Sequence, residues 1–111
     1  MAAVAHIALA EISARSETGG SVSLMDAVPV RTTILRSQAE AGELVSPSVA
    51  TSFEADGANQ FWRITALTSV WVSIGTDPVA EPEGEGCWYV PLYSPALELA
   101  AKPGQKVAIC Q

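Results

Sequence analysis

The residues able to do chemistry are few, and their spacing limits what they could do. There is one histidine, His6, and there are two cysteines, Cys87 and Cys110. A Ser-His-Asp or Cys-His constellation needs several groups converging on one reacting atom, and nothing in the spacing sets a nucleophile beside His6. His6 therefore reads as a structural or exposed side chain. Two cysteines and one histidine fall short of the four ligands of a structural zinc site, so no metal centre is expected. Nor do two cysteines make a disulfide framework. In a reducing cytosol both stay thiols, placed in the core or at an interface.

Carboxylates are more plentiful but no better organised. Glu81, Glu83 and Glu85 alternate with proline and glycine in a run that lacks the Asp/Asn alternation and closing Glu of an EF-hand. It reads as a solvated, mobile surface loop. Gly84-x-Gly86 in the same run follows no strand-to-helix signature, and its acidic neighbours would repel a phosphate. Among Glu40, Glu43, Glu54 and Asp56 no spacing selects the acid-base pair of a glycosidase. The expectation is a chain that is not an enzyme and needs no cofactor.

The scaffold that carries these groups is legible from its punctuation. Turn signals recur at Thr18-Gly19-Gly20, Asp56-Gly57, Gly75-Thr76-Asp77-Pro78, Gly84-Glu85-Gly86 and Lys102-Pro103-Gly104-Gln105. Helices of ordinary length barely fit between them. The runs at 28–36, 61–66, 70–75, 87–92 and 106–110 are rich in β-branched and aromatic residues, as short antiparallel strands are. An all-β fold follows, an antiparallel sandwich or barrel of jelly-roll-like type. With 111 residues the chain is one domain, and residues 26–111 form its body.

Residues 1–25 are ambiguous. Val4, Ile7, Ala8, Glu11 and Ile12 fit a helical spacing, while Ile7, Leu9, Glu11 and Ser13 fit an alternating one. An extended N-terminal arm, a first strand and a short helix all stay open. Ser37 and Glu40 have capping-box spacing, but Gly42 interrupts the stretch that follows, which leaves a loop or a single helical turn. Residues 66–69 are short enough to close a hairpin over 61–75. Pro103-Gly104 presets a type II turn ahead of the last strand.

Period-two parity then assigns faces. Trp62, Ile64 and Ala66 point to the core, as do Val70, Val72 and Ile74. Trp88, Val90 and Leu92 form a further inward set, joined by Leu97 with Leu99 and Val107 with Ile109. Trp62 and Trp88 are thereby core tryptophans. Trp71 falls on the outer face. Beside Arg63 and Tyr89 it suits a subunit interface or a sugar-stacking platform, and burial under a second layer is equally open.

Composition narrows the partners. Hydrophobic residues make up 49% of the chain and charged ones 16%, against the usual charged share of about 25%. That is more apolar material than a core of this size hides, which predicts self-association into a dimer or trimer, or docking on a larger assembly. A net charge of −6 with six scattered Lys and Arg argues against nucleic acid and against an anionic membrane surface. No apolar run reaches the roughly 20 residues of a spanning helix. The opening MAAVAHIALAEISA has no basic leader and is interrupted by His6 and Glu11, so no export signal is expected.

From Phe61 onward the order FWRITALTSVWVSIGTDPVA, then an acidic loop, then CWYVPLYSPALELAAKPGQKVAIC resembles a class of small structural proteins of tailed phages. The shared features are a strand ending in Ile74-Gly75-Thr76-Asp77-Pro78-Val79-Ala80 and a last hairpin of Pro-Gly-x-Lys-x-Ala type at residues 103–108. The resemblance covers about half of the chain and brings no catalytic motif. It implies a virion component assembled in the host cytoplasm, first of all a capsid decoration (cement) protein that bridges subunits of the major capsid protein. A neck, tail or spike component is the alternative within that class. A carbohydrate-binding module for host attachment, stacking sugars on Trp71 and Tyr89, is the alternative outside it.

Overall fold

The computed structural model describes residues 3–15, 23–25, 28–37, 47–57 and 59–111. The turn expected at 18–20 and the capping stretch at 38–44 lie outside them. The strands in chain order are β1 (Ala3–Arg15), β2 (Ser23–Met25), β3 (Arg31–Arg36), β4 (Val49–Ala50), β5 (Gln60–Ala66), β6 (Val70–Gly75), β7 (Trp88–Val90), β8 (Leu97–Ala100) and β9 (Lys106–Cys110). They form two antiparallel sheets. The first runs β2-β1-β5-β8 with β3 also paired to β1, and the second runs β4-β9-β6-β7. The fold is an all-β sandwich.

The core lies between the sheets. Ile7, Leu9, Trp62 and Ile64 come to it from the first sheet, and Val70, Val72, Val90, Val107 and Ile109 from the second. Cross-strand register puts like with like: Ile7 faces Ile64 and Leu9 faces Trp62, while Val72 faces Ile109. Parity thus places Trp62, Ile64, Val70, Val72, Val90, Val107 and Ile109 as expected, with Ala66, Ile74 and Leu97 partly buried against them. Trp62 is fully buried, yet its indole Nε1–H meets no acceptor among the described residues. An orphan donor of this kind costs about 1–3 kcal/mol, which the burial of the ring has to exceed.

Of the readings open for the first 25 residues, a strand forms. β1 lies between β3 and β5, with Ala5, Ile7 and Leu9 turned inward. Its outward Ala8 and Ala10 are buried as well, because each is small and sits opposite a longer side chain, Arg63 for Ala8 and Phe61 for Ala10. Past Glu11 the strand continues with β2 as partner, Ile12 opposite Met25 and Ala14 opposite Leu24. At about 3.3 Å per residue a strand of this length spans roughly 40 Å. The molecule is accordingly long, 57 × 28 × 25 Å.

Three expectations need correction. Residues 61–75 are not a hairpin, since β5 and β6 belong to different sheets. Leu67 N–H and Thr68 N–H both donate to the Val4 carbonyl, at 2.9 and 3.3 Å, and fasten the connection to β1 as the chain crosses the sandwich. Second, the Pro103-Gly104 turn forms, with Gln105 N–H donating to the Lys102 carbonyl at 3.1 Å and Gly104 at φ +88°. It too carries the chain between sheets, so the last two strands are not a hairpin. Third, Trp88 and Leu92 are exposed and not core residues. Trp88 has core parity, but β7 is the last strand of its sheet and nothing in the register places a neighbour beyond it.

The central strand β9 is buried on both faces. Val107 and Ile109 face the core, whereas Ala108 and Cys110 lie under Ala80 from the segment 76–87, with Trp71 packed at the margin. Ser48 Oγ accepts from Ala80 N–H at 2.9 Å and holds that segment down. An outer layer over one sheet explains why β9 reads as continuously apolar instead of alternating.

Candidate functional site

Two regions gather side chains with something to offer a ligand or a partner. The first is the edge of the second sheet. Among the described residues β7 pairs with β6 alone, placing Tyr89 opposite Trp71 and Trp88 opposite Val72. The Trp71 and Tyr89 rings meet at a centroid distance of 4.8 Å and an angle of 46°. Trp71 divides its surface: one part packs on the Ala80, Ala108 and Cys110 cluster, another meets Tyr89. Tyr89 is 52% exposed and Trp88 54%.

A turn continues this edge. Ser94 N–H donates to the Pro91 carbonyl at 3.2 Å, closing Pro91-Leu92-Tyr93-Ser94, and Leu92 N–H donates to Ser69 Oγ at 2.9 Å. Tyr93 sits at the third position with φ +70° and is 93% exposed. A type II turn asks for positive φ there, which glycine adopts freely and an L side chain resists by about 1–2 kcal/mol. The turn at Gly104 obeys that preference and the one at Tyr93 does not. An aromatic ring is thus carried into solvent at a strained position, and strained positions of this sort cluster at functional surfaces.

Arg63 does not belong to this group. It is on β5, on the outer face of the other sheet, paired with Glu98 at 3.2 Å. Parity placed it correctly on an outer face. That face is on the other sheet from Trp71, so Arg63 and Trp71 are not neighbours.

The second region is a shallow polar depression of about 480 Å³ lined by Arg31, Ser52, Phe53, Glu54, Asp56 and Lys106. Arg31 is at the start of β3, at core parity opposite Leu9, and its guanidinium lies over the Phe53 ring at 5.9 Å. Phe53 in turn packs on Trp62, with centroids 5.9 Å apart. The loop between β4 and β5 is tied to the lead into β9. Thr51 N–H donates to the Val107 carbonyl, Ala55 N–H to the Gln105 carbonyl and Gly104 N–H to the Ala55 carbonyl, all within 2.9 Å. The Thr51 hydroxyl donates to the Phe53 carbonyl at 2.8 Å and accepts from Val107 N–H at 3.3 Å. Gln60 closes the other side: its Oε1 accepts from Asp56 N–H and Gly57 N–H, and its Nε2 donates to Asp56 Oδ1 at 3.0 Å. Among the described residues Thr51 and Gln60 are the buried polar side chains, and both serve this loop.

Sequence reasoning missed the depression, because Arg31, Phe53 and Lys106 come from three distant segments. Asp56-Gly57 as a turn ahead of a strand was the one local signal. Of the four acids weighed as a catalytic pair, Glu54 and Asp56 meet here, and Glu40 and Glu43 lie outside the described residues. His6 is on the first sheet opposite Thr65, away from Cys110 on the second. Both cysteines are free thiols. Burial pushes the Cys110 thiol above its ordinary value, helped by the neighbouring Cys87 and the negative charge of Glu81. No family model, curated protein or solved structure matches the chain.

Proposed function

We propose that this chain is a non-enzymatic structural protein of a tailed-phage virion, bound to the outside of the capsid as a decoration protein that bridges neighbouring subunits of the major capsid protein. The observation that carries the reading is the edge formed by Trp88, Tyr89 and Tyr93, with Tyr93 held in solvent at a backbone position that favours glycine. Tyr and Trp are the side chains that most often anchor protein contacts, since each offers a large rigid surface with few torsions to freeze. The net charge of −6 suits the capsid exterior better than a DNA-filled interior. The resemblance of the second half of the chain to phage structural proteins supplies the context. A dimer or trimer of the chain engaging several shell subunits at once needs only modest affinity per contact.

The test compares capsids with and without the protein under heat, and repeats the comparison with Trp88→Ala and Tyr93→Ala. Added protein should raise the temperature at which shells disrupt. Each substitution should weaken binding by about 2 kcal/mol or more if the residue is an anchor, while the isolated variant still unfolds cooperatively. Equal shell stability, or localisation at the tail alone, rejects decoration in favour of a tail component.

A further inference from the structure

We infer that the depression between Arg31 and Lys106 is a binding site for a carboxylate flanked by hydroxyl groups, the chemistry of an acidic sugar such as a uronic acid. This goes beyond attachment to a shell and does not depend on it.

The argument starts from Arg31. Its guanidinium lies over Phe53 and makes no ion pair among the described residues, so its edge donors face a ligand rather than a described carboxylate. The planar fork of a guanidinium matches a planar carboxylate through two parallel hydrogen bonds. The aromatic beneath it is itself fixed by the buried Trp62. Lys106, likewise without an ion pair among the described residues, supplies a second positive charge in the lining.

The other lining residues decide which anion fits. Glu54 and Asp56 bring two negative charges, so the lining as a whole is neutral. A phosphate dianion would gain from the cations and lose comparably to the carboxylates. A monoanion carrying hydroxyl groups fits both halves, with its carboxylate at Arg31 and Lys106 and its hydroxyls donating to Glu54 and Asp56. Ser52 adds a hydroxyl able to donate or accept. Mixed charge of this kind would be an ordinary solvated surface on a mobile loop. This loop is instead held by two buried polar side chains and a ladder of backbone bonds, which is how a recognition site keeps its geometry before a ligand arrives.

The experiment is an NMR titration of the isotopically labelled full chain with glucuronate, glucose and inorganic phosphate at matched ionic strength. Glucuronate should shift the amides of residues 51–57 saturably, with a dissociation constant in the millimolar range expected of one small polar ligand. Glucose and phosphate should bind about tenfold more weakly or worse. Arg31→Gln should weaken glucuronate by about tenfold or more, Arg31→Lys by less, and Arg63→Gln, on the outer face of the first sheet, not at all. If Arg31→Gln melts early, Lys106→Gln takes its place and should also weaken binding. Absence of saturable shifts, phosphate binding as tight as glucuronate, or undiminished binding by the variant that stays folded would each overturn the inference. The titration uses isolated protein, so its failure leaves the capsid comparison untouched, and the reverse holds too.

Discussion

The aromatic edge and the polar depression are built on opposite principles. At the edge a short strand and one strained turn push Trp88, Tyr89 and Tyr93 into solvent, and their backbone is held by few bonds. In the depression two buried polar side chains and three backbone hydrogen bonds between the loop and the lead into β9 hold the lining in place. Area without preorganisation suits a broad contact whose partner supplies the remaining order. Preorganisation with little apolar area suits a small polar ligand, for which the cost of ordering the site would otherwise cancel the binding. On the two proposals, one small sandwich would serve partners of very different size.

Four substitutions break or sharpen that contrast. Trp62→Ala has the largest effect: removing the fully buried ring should lower unfolding free energy by about 3–5 kcal/mol, read by urea denaturation. The Arg31–Phe53 stack loses its floor at the same time. Gln60→Ala is the selective blow to the depression, since it strips the acceptor shared by Asp56 N–H and Gly57 N–H. A loss of about 2 kcal/mol is expected, with the near-ultraviolet signal of the Trp71–Tyr89 pair unchanged. Tyr93→Gly should act in the other direction, stabilising the isolated protein by about 1 kcal/mol as the strained φ is relieved. The same change should weaken the proposed capsid contact, and a destabilised Tyr93→Gly would show that the tyrosine is kept for its packing.

The fourth and smallest effect is a pH dependence. Burial raises the Cys110 thiol above its ordinary pKa, so the fold prefers the neutral thiol. The unfolded chain loses that proton first as pH rises. The stabilisation is complete below the unfolded pKa and is lost as pH climbs through the raised folded one. Urea midpoints measured from about pH 8 to pH 10 should fall more steeply for the wild type than for Cys110→Ala.

Much of the fold was legible in the residues because one physical rule, alternation, governs strands with one dry face. It located β6 and β9 to the residue and put Trp62, Val70, Val72 and Ile109 inside. It failed wherever a third dimension mattered. Parity states which way a side chain points but not which strand lies next to it, so residues 66–69 passed for a hairpin turn. It is also blind to a sheet's margin, where Trp88 faces inward and still meets solvent. On β1 the outward alanines erased the alternation altogether, and strand and helix patterns became indistinguishable. The depression was hidden for a simpler reason: Arg31, Phe53 and Lys106 become neighbours only when both sheets are assembled.

The position of β1 has a kinetic consequence. Its inner residues must find β5 across a long stretch of chain, Ala5 reaching Ala66, and the paired sheet still needs β9 from the far end to close over it. Contacts between such distant segments require most of the loop-closure entropy to be lost before burial compensates, which slows folding. Until β5 arrives, the apolar segment from Val4 to Ala10 has no partner on that edge and is a sticky, aggregation-prone strand. Refolding should therefore proceed cleanly when dilute and lose yield as concentration rises, because a second chain then competes for the edge that β5 is slow to reach.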